Sequence, residues 1–283
     1  MSSITELIKE LREKTGAGFL DCKKVLDDNN NNIEKSIEAL RKKGLAKASK
    51  KSDRAAIEGA VGVYLNKNIT ALIKVNSETD FAAKSDTFLD FLDSLGNLVL
   101  ENNTNIDKEQ FLKLQFENGT VQDYFNSMIA KIGENLILND LLVKENINSN
   151  YSFYIHNSYR KNIGKIISLI EYSCSKKNSE SEKLSKNLCM HIAAMKPESI
   201  DINDLDKELI DNEEKIQREL ILKSGKPSNI IDKILEGKMK KFFSEVTLFN
   251  QSYILDQDKT IKEIIDENSE LNFKLISFEL INL

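Results

Sequence analysis

The 283-residue sequence has few of the residues on which most enzymes depend. It contains two histidines, His156 and His191, and its three cysteines show no metal-binding spacing. It also has no glycine-rich loop of the P-loop or dinucleotide-binding type. His191 falls on an apolar helical face, which indicates a histidine held in the core. We therefore expect neither an enzyme activity nor a cofactor or a metal site.

Long apolar runs and an excess of basic residues are missing as well. The sequence has no run of 18 apolar residues and no basic-then-apolar leader, so we expect a protein that neither spans a membrane nor is secreted. The odd cysteine number predicts reduced thiols in the cytoplasm. With 40 Lys and Arg against 45 Asp and Glu, the net charge of -5 disfavours general nucleic-acid binding and leaves a protein partner open.

Three short amphipathic segments open the chain. Their apolar residues recur at helical spacing: Ile4, Leu7, Ile8 and Leu11, then Phe19, Cys22, Val25 and Leu26, then Ile33, Ile37 and Leu40. This pattern predicts a three-helix domain over residues 1–45, closed by Gly44, which is either a docking module or a structural cap. An Ala- and Lys-rich linker follows over 46–56. Its basic residues from Lys47 to Arg54 leave RNA contact as an alternative to a solvated linker.

The rest of the chain predicts two similar α+β units. The first has a hairpin over 57–75 that turns at 66–68, a helix from about 81, a helix over 121–131 and a strand region over 136–143. The second has a hairpin over 151–173 that turns near 157–158, a helix around 184–192 and a late strand over 273–278. We therefore predict two core subdomains, 57–146 and 147–283, each built as hairpin, helix and strand.

An insertion at about residues 203–240 interrupts the second subdomain. Charged residues surround a narrow apolar seam, which predicts a protruding antiparallel helical hairpin broken at Gly225-Lys226-Pro227. The seam comprises Leu205, Leu209, Ile216 and Leu220, then Ile230, Ile231, Ile234, Leu235 and Met239. An ordinary helical insertion without any contact role fits the same pattern.

The stretch Thr79-Asp80-Phe81-Ala82 lies between a predicted strand and a predicted helix. Thr79 or Asp80 can serve as the N-cap of that helix. Phe81 then falls in the first helical turn. There, a large aromatic side chain is either an anchor in the core or a rigid group presented to a partner beside a carboxylate.

Seven motifs occur in a specific order from about residue 4 to about residue 279. They are Leu11-Arg12-Glu13-Lys14-Thr15-Gly16-Ala17-Gly18, Asp21-Cys22-Lys23-Lys24, Thr79-Asp80-Phe81, Lys131-Ile132-Gly133-Glu134-Asn135, His191-Ile192-Ala193-Ala194-Met195-Lys196-Pro197, Ser224-Gly225-Lys226-Pro227 and Glu236-Gly237-Lys238-Met239-Lys240-Lys241-Phe242. Together they resemble the elongation factor Ts family, the bacterial and organellar nucleotide exchange factors of elongation factor Tu.

The resemblance implies a fold, a partner and a set of site residues. The fold is α+β, with an N-terminal UBA-like domain, a two-subdomain core and a coiled-coil hairpin through which some family members dimerise. The partner is elongation factor Tu, GDP-bound or nucleotide-free, without direct contact to nucleic acid or membrane. The resemblance implies that Mg²⁺ is displaced from the partner by four residues, Thr79, Asp80, Phe81 and Ala82. It implies that the partner itself is bound by six others, Arg12, Thr15, Gly16, Phe19, Leu20 and His156.

Two departures from the family and two rival functions remain. Ala82 stands where the family more often has valine, so we expect the loss of a small apolar contact. The chain ends at Leu283, soon after the last predicted strand, so we expect the extra C-terminal helical module of many relatives to be absent and the affinity for the GTPase to be lower.

The rival functions are an RNA- or ribosome-binding module that uses residues 47–54 and 238–241, and a thiol enzyme that uses Cys22.

Overall fold

Helices and strands alternate along the chain in an α+β arrangement. The computed structural model describes residues 3–102, 105–117, 119–147, 149–224 and 227–283. The chain divides into two units: the first unit consists of residues 1–147, 157–166 and 281–283, and the second of 148–156 and 167–280. In the part of the chain that the structure describes, no helix combines the length and apolar character needed to cross a membrane.

The elements of the first unit begin with three helices and continue with a sheet and its covering helices. They are α1 (Ile4–Thr15), α2 (Phe19–Asp28), α3 (Ile33–Ser49), β1 (Glu58–Leu65), β2 (Ile69–Ser77), α4 (Asp80–Ala83), α5 (Asp86–Asn102), α6 (Lys108–Lys113), β3 (Gln115–Phe116), β4 (Gly119–Thr120), α7 (Val121–Ile132) and β5 (Ile137–Glu145). The predicted hairpin, the helix over 121–131 and the strand region over 136–143 are confirmed.

The remaining elements follow the same order around a second hairpin. They are β6 (Asn150–Arg160), β7 (Ile163–Ser173), α8 (Ser179–Met195), α9 (Lys207–Lys223), α10 (Ser228–Val246), β8 (Ser252–Tyr253), β9 (Asp256–Thr260), α11 (Ile261–Glu267) and β10 (Lys274–Asn282). The helix around 184–192 and the late strand are confirmed. The predicted turn at 157–158 is wrong: β6 continues through Asn157, which adopts a φ of 53°, and the chain reverses after Arg160.

The first three helices pack around a small apolar core. α1 starts with a capping box between Ser3 and Glu6 and ends at Gly16, whose φ of 63° is left-handed. The core consists of Ile8, Leu11, Cys22, Val25 and Leu26. Burial raises the pKa of the Cys22 thiol, which disfavours the reactive thiolate that a thiol enzyme needs.

The prediction that Gly44 ends the third helix is wrong, because α3 continues to Ser49. α3 packs along α7, and Gly44 faces that helix: a Cβ atom at Gly44 would lie 3.9 Å from the Cβ of Ala130. Arg41 of α3 also forms an ion pair with Asp123 of α7 at 2.7 Å. The glycine therefore serves helix packing rather than helix termination, and the start of the predicted linker is helical.

An antiparallel sheet lies at the centre of the first unit, in the strand order β5–β2–β1–β7. α5 covers one face of it through Phe88, Phe91, Leu92 and Leu95, all essentially fully buried. Tyr64 of β1 fixes this contact, since its ring lies against Gly96 of α5 and its hydroxyl donates to Asp93 at 3.0 Å. A Cβ atom at Gly96 would come within 2.4 Å of that ring. The corner that follows β2 is therefore attached to a well-packed scaffold.

In the second unit, β7 pairs with β6 and β10, and α8 and α11 contribute to the adjoining core. His191 of α8 is completely buried, which confirms its core position. Its Nδ1 accepts a hydrogen bond from the Ile254 N–H at 3.3 Å, so Nε2 carries the proton and donates to Gln251 Oε1 at 2.9 Å. Burial lowers the pKa of His191 and favours this neutral form.

α9 and α10 form an antiparallel helical hairpin with an internal apolar seam. The buried seam residues are Ile221, Ile231, Leu235 and Met239, with Ile210, Ile234, Phe242 and Phe243 packed against them. The predicted seam of α9 is wrong, because Leu209, Ile216 and Leu220 are 41%, 52% and 50% exposed. The helix uses positions 210, 217 and 221 instead, which have the same spacing as the predicted set. Because residue 217 is a glutamine, a search for regularly spaced apolar residues does not find this stripe. Gly225 and Lys226 of the predicted break lie outside the described residues.

Candidate functional site

The corner after β2 presents Phe81 to solvent. Thr79 caps the single-turn helix α4, since its Oγ1 accepts a hydrogen bond from the Ala82 N–H at 3.2 Å. The Phe81 side chain is 85% exposed, whereas Ala82 and Ala83 are buried. The core-anchor interpretation of Phe81 is therefore wrong. The buried position of Ala82 places the expected loss of a small apolar contact on the interior side of the corner.

Asp80 lies beside Phe81 as the first residue of α4. It is not the cap, because Thr79 takes that position. The Asp80 carboxylate accepts a hydrogen bond from Lys84 Nζ at 2.8 Å, and this contact lowers the pKa of Asp80 and raises that of Lys84. The corner therefore carries an ionised carboxylate next to an exposed aromatic ring at neutral pH.

Hydrogen bonds to the residues that follow α7 hold the corner in place. The Glu134 carboxylate accepts from the Thr79 N–H at 3.0 Å and from Thr79 Oγ1 at 2.6 Å. In the opposite direction, the Glu78 carboxylate accepts from the Asn135 N–H at 2.7 Å. We call Glu78, Thr79, Glu134 and Asn135 the corner network. It joins two segments that are 55 residues apart in the sequence.

The predicted linker also contacts the corner network. Asn135 is 3% exposed, and its side-chain amide donates to the Arg54 carbonyl at 2.9 Å. The Arg54 guanidinium in turn forms an ion pair with Glu78 at 3.5 Å, and Lys51 Nζ donates to the Gly133 carbonyl. The segment is therefore bound along the corner through its backbone and through its basic side chains.

The five predicted docking residues of the first domain lie at the turn between α1 and α2. Thr15 and Gly16 shape this turn: the Thr15 hydroxyl donates to a backbone carbonyl of α1 at 2.6 Å, and Gly16 provides the left-handed residue. Arg12, Phe19 and Leu20 are exposed, with Phe19 at 49% and Leu20 at 79%. Two apolar side chains and a guanidinium are thus available to a partner, in keeping with a docking surface.

α7 borders both the α1–α2 turn and the corner. A Cβ atom at Gly16 would lie 3.3 Å from Cδ of Lys131, near the end of α7, and Glu134 follows that helix directly. A cleft of about 590 Å³ is lined by residues of the α1–α2 turn, α3 and α7. The structure therefore connects the two predicted partner-binding regions of the first unit through one core-packed helix.

His156 lies in the second unit, inside β6, because the strand continues past the turn predicted near 157–158. Its side chain is exposed, and its Nδ1 is 3.4 Å from the Tyr154 hydroxyl.

The sequence did not indicate that Glu134 contacts Thr79. Glu134 belongs to the motif Lys131-Ile132-Gly133-Glu134-Asn135, but nothing in that motif identifies Thr79 as the residue that it contacts.

Comparisons with known proteins all match one family. A family model described as Elongation factor TS matches residues 78–283. Elongation factor Ts of Rickettsia prowazekii is 42% identical over 265 residues, which cover 93% of this chain and 85% of the relative. Elongation factor Ts of a Nitratiruptor species is 38% identical over 280 residues, 96% of this chain and 90% of the relative. Elongation factor Ts of Rhodospirillum centenum is 36% identical over 260 residues, which cover 92% of this chain and 85% of the relative.

Proposed function

The chain belongs to the elongation factor Ts family, and on this premise we propose that it binds elongation factor Tu·GDP and promotes the release of GDP, so that GTP can bind. The family places the chain among translation elongation factors. The observation that carries the exchange mechanism is the 85% exposure of Phe81 on a corner fixed by the corner network.

The mechanism follows from how a GTPase holds its nucleotide. A phosphate-cradling loop and a Mg²⁺ ion bind the phosphates, and Mg²⁺ requires near-ideal octahedral geometry. A rigid phenyl ring that inserts beside the site moves a ligand-bearing segment by sterics, and the Asp80 carboxylate redirects local hydrogen bonds. Thr79 and Ala82 support these two residues, by capping and by burial respectively. No covalent bond is made or broken. The protein and the nucleotide weaken each other's binding by the same factor.

We assign docking to the residues outside the corner. In this proposal residues 1–45 form a UBA-like module and residues 46–56 form the linker. The two core subdomains are residues 57–146 and 147–283. Arg12, Phe19 and Leu20 contact the GTPase from the α1–α2 turn, and His156 contacts it from the second subdomain. Thr15 and Gly16 contribute by holding the shape of the turn.

The basic segments give little support to an RNA-binding alternative. Lys47 forms an ion pair with Asp21 at 2.9 Å, and Arg54 and Lys51 are bound to the corner. Lys238 of α10 donates to Gln217 at 2.9 Å. Phosphate binding requires basic side chains that face outwards as a group. We therefore expect the complex with the GTPase to vary little with salt, whereas an RNA complex would weaken steeply.

The direct test is the release of fluorescent GDP from elongation factor Tu in a stopped-flow instrument. We expect the release rate to rise with the concentration of this protein and then to saturate. Complex formation is followed in parallel by calorimetry with nucleotide-free elongation factor Tu. An unchanged release rate at a concentration that saturates binding would refute the exchange function, while the absence of binding would refute the partner.

We further propose that the helical hairpin mediates homodimerisation. Leu209, Ile216 and Leu220 form one exposed apolar stripe along α9. Replacing all three with glutamine should abolish self-association in sedimentation velocity and spare GDP release, because the internal seam is untouched. Leu222→Gln is the matched control, since Leu222 is 58% exposed on the same helix but outside the stripe. A wild-type chain that stays monomeric at high concentration would exclude this role.

A further inference from the structure

The direction in which Phe81 is presented is set by the backbone of the corner. Its side chain is 85% exposed, so its orientation follows the backbone of α4, a single turn over Asp80–Ala83. One turn is too short to be stable by itself. Contacts outside the turn must therefore fix it, and those at its start come from Thr79.

Thr79 transmits the position of Glu134 into the turn. Its hydroxyl donates to Glu134 at 2.6 Å and accepts from the Ala82 N–H at 3.2 Å, so one oxygen joins the carboxylate to the residue that follows Phe81. Its backbone N–H donates to the same carboxylate at 3.0 Å. Glu134 thereby contacts the chain on the N-terminal side of Phe81 directly and on the C-terminal side through one hydroxyl.

Glu134 is itself held on a rigid support. It follows Gly133, which ends α7 with a φ of 88°, and it precedes Asn135, which is buried and bound to Glu78 and Arg54. α7 packs into the core of the first unit through Phe125 and neighbouring apolar residues. Glu134 therefore lies in a short segment between α7 and β5, held on one side by the end of a core-packed helix and on the other by the buried Asn135.

We propose that Glu134 is a positioning residue that fixes the direction of Phe81 and thereby sets the maximal rate of nucleotide release rather than the affinity for the GTPase. This role rests on the proposed exchange function. A bidentate contact to one residue is well suited to it, because two hydrogen bonds define an orientation as well as a distance.

The chain offers a matched control at the start of α11. There, the Glu263 carboxylate accepts from the Thr260 N–H at 2.7 Å and from Thr260 Oγ1 at 2.9 Å. The donors and the acceptor are of the same kind as in the Thr79–Glu134 pair. The residue two positions after Thr260, which corresponds to Phe81, is however Lys262 rather than an aromatic residue. Both bonds end on one carboxylate oxygen, Oε2, so Glu263→Gln makes the same carboxylate-to-amide change beside a threonine cap without touching an exposed aromatic residue.

The first measurement needs no partner. The sequence contains no tryptophan, so Phe81→Trp introduces a single indole at the corner. We expect Glu134→Gln to lower the time-resolved fluorescence anisotropy of this indole, because an amide donor then faces the donors of Thr79. Glu263→Gln in the same background should leave the anisotropy unchanged. Equal anisotropy in all three proteins would overturn the positioning role, whether or not the protein is an exchange factor.

The second measurement separates rate from affinity in the chain with Phe81. Glu134→Gln should slow GDP release at saturation by about 10-fold, the loss of a contact worth one decade in rate. Its dissociation constant should stay within about 2-fold. Glu263→Gln should match the wild type in both. Equal slowing in both variants would indicate a general structural effect, and a weaker complex with an unchanged maximal rate would contradict the proposal.

A double-mutant cycle removes the remaining ambiguity. Thr79→Val removes the hydroxyl contact and keeps the backbone N–H contact, so combining it with Glu134→Gln should slow release by less than the product of the two single effects. Additive slowing would show that Glu134 acts by another route and would overturn the proposal. The wild-type protein, measured in parallel, shows separately whether the exchange function itself holds.

Discussion

Phe81→Ala is expected to slow GDP release from elongation factor Tu by about 10-fold or more at saturation, the equivalent of at least one lost decade of rate. In the proposed mechanism the phenyl ring is the part of the corner that reaches the GTPase, and alanine cannot displace a ligand-bearing segment by sterics. The variant should still bind, because the α1–α2 turn and His156 are unchanged. The deficit should shrink when free Mg²⁺ is lowered, since less Mg²⁺ then has to be displaced.

The same substitution should cost little stability, because the ring is 85% exposed. Phe88→Ala is the matched control: Phe88 is fully buried in α5, and such truncations typically cost about 3–5 kcal/mol. Urea unfolding and stopped-flow release should thus separate the two phenylalanines, one losing rate and the other losing stability. A Phe81→Ala protein that melts far below the wild type, yet exchanges normally when folded, would exclude the wedge mechanism.

Local periodicity predicted the elements that depend on it. The alternation around residues 66–68 identified β1 and β2, and the helical spacing of Leu184 and Leu188 identified α8. β1 and β2 are buried along almost their whole length and pair with each other across one tight turn, so their identification needed only the local sequence. The order hairpin, helix and strand in both halves follows from the same information.

The errors occurred where a distant contact overrides the local pattern. Gly44 resembles a helix stop, but its packing against Ala130 makes it part of a continuous helix. Gln217 occupies a seam position, so the apolar residues alone select the wrong stripe of α9. The exposure of Phe81 and the contact between Thr79 and Glu134 could not be derived from spacing, because both depend on tertiary structure and the two contact residues are 55 positions apart.

Replacing Phe19 and Leu20 together with alanine is expected to weaken the complex with elongation factor Tu by about 100-fold, the effect of two interface side chains worth about 1.4 kcal/mol each. Phe19 and Leu20 are 49% and 79% exposed, and neither belongs to the apolar core of the three helices. The fold should therefore change little. Ile4→Ala is the control, because Ile4 is 39% exposed on α1 but lies outside the α1–α2 turn.

Point substitutions test docking more sharply than removal of residues 1–45. A cut at residue 45 would end within α3 and uncover the face of α7 that packs against it, so lost binding could reflect a damaged corner. With Phe19 and Leu20 replaced, the corner network stays intact. Release at saturating protein should therefore reach the wild-type rate, although a higher concentration is needed. Unchanged affinity in this variant would move the docking surface away from the α1–α2 turn, and a lower maximal rate would show that docking and displacement are not separable.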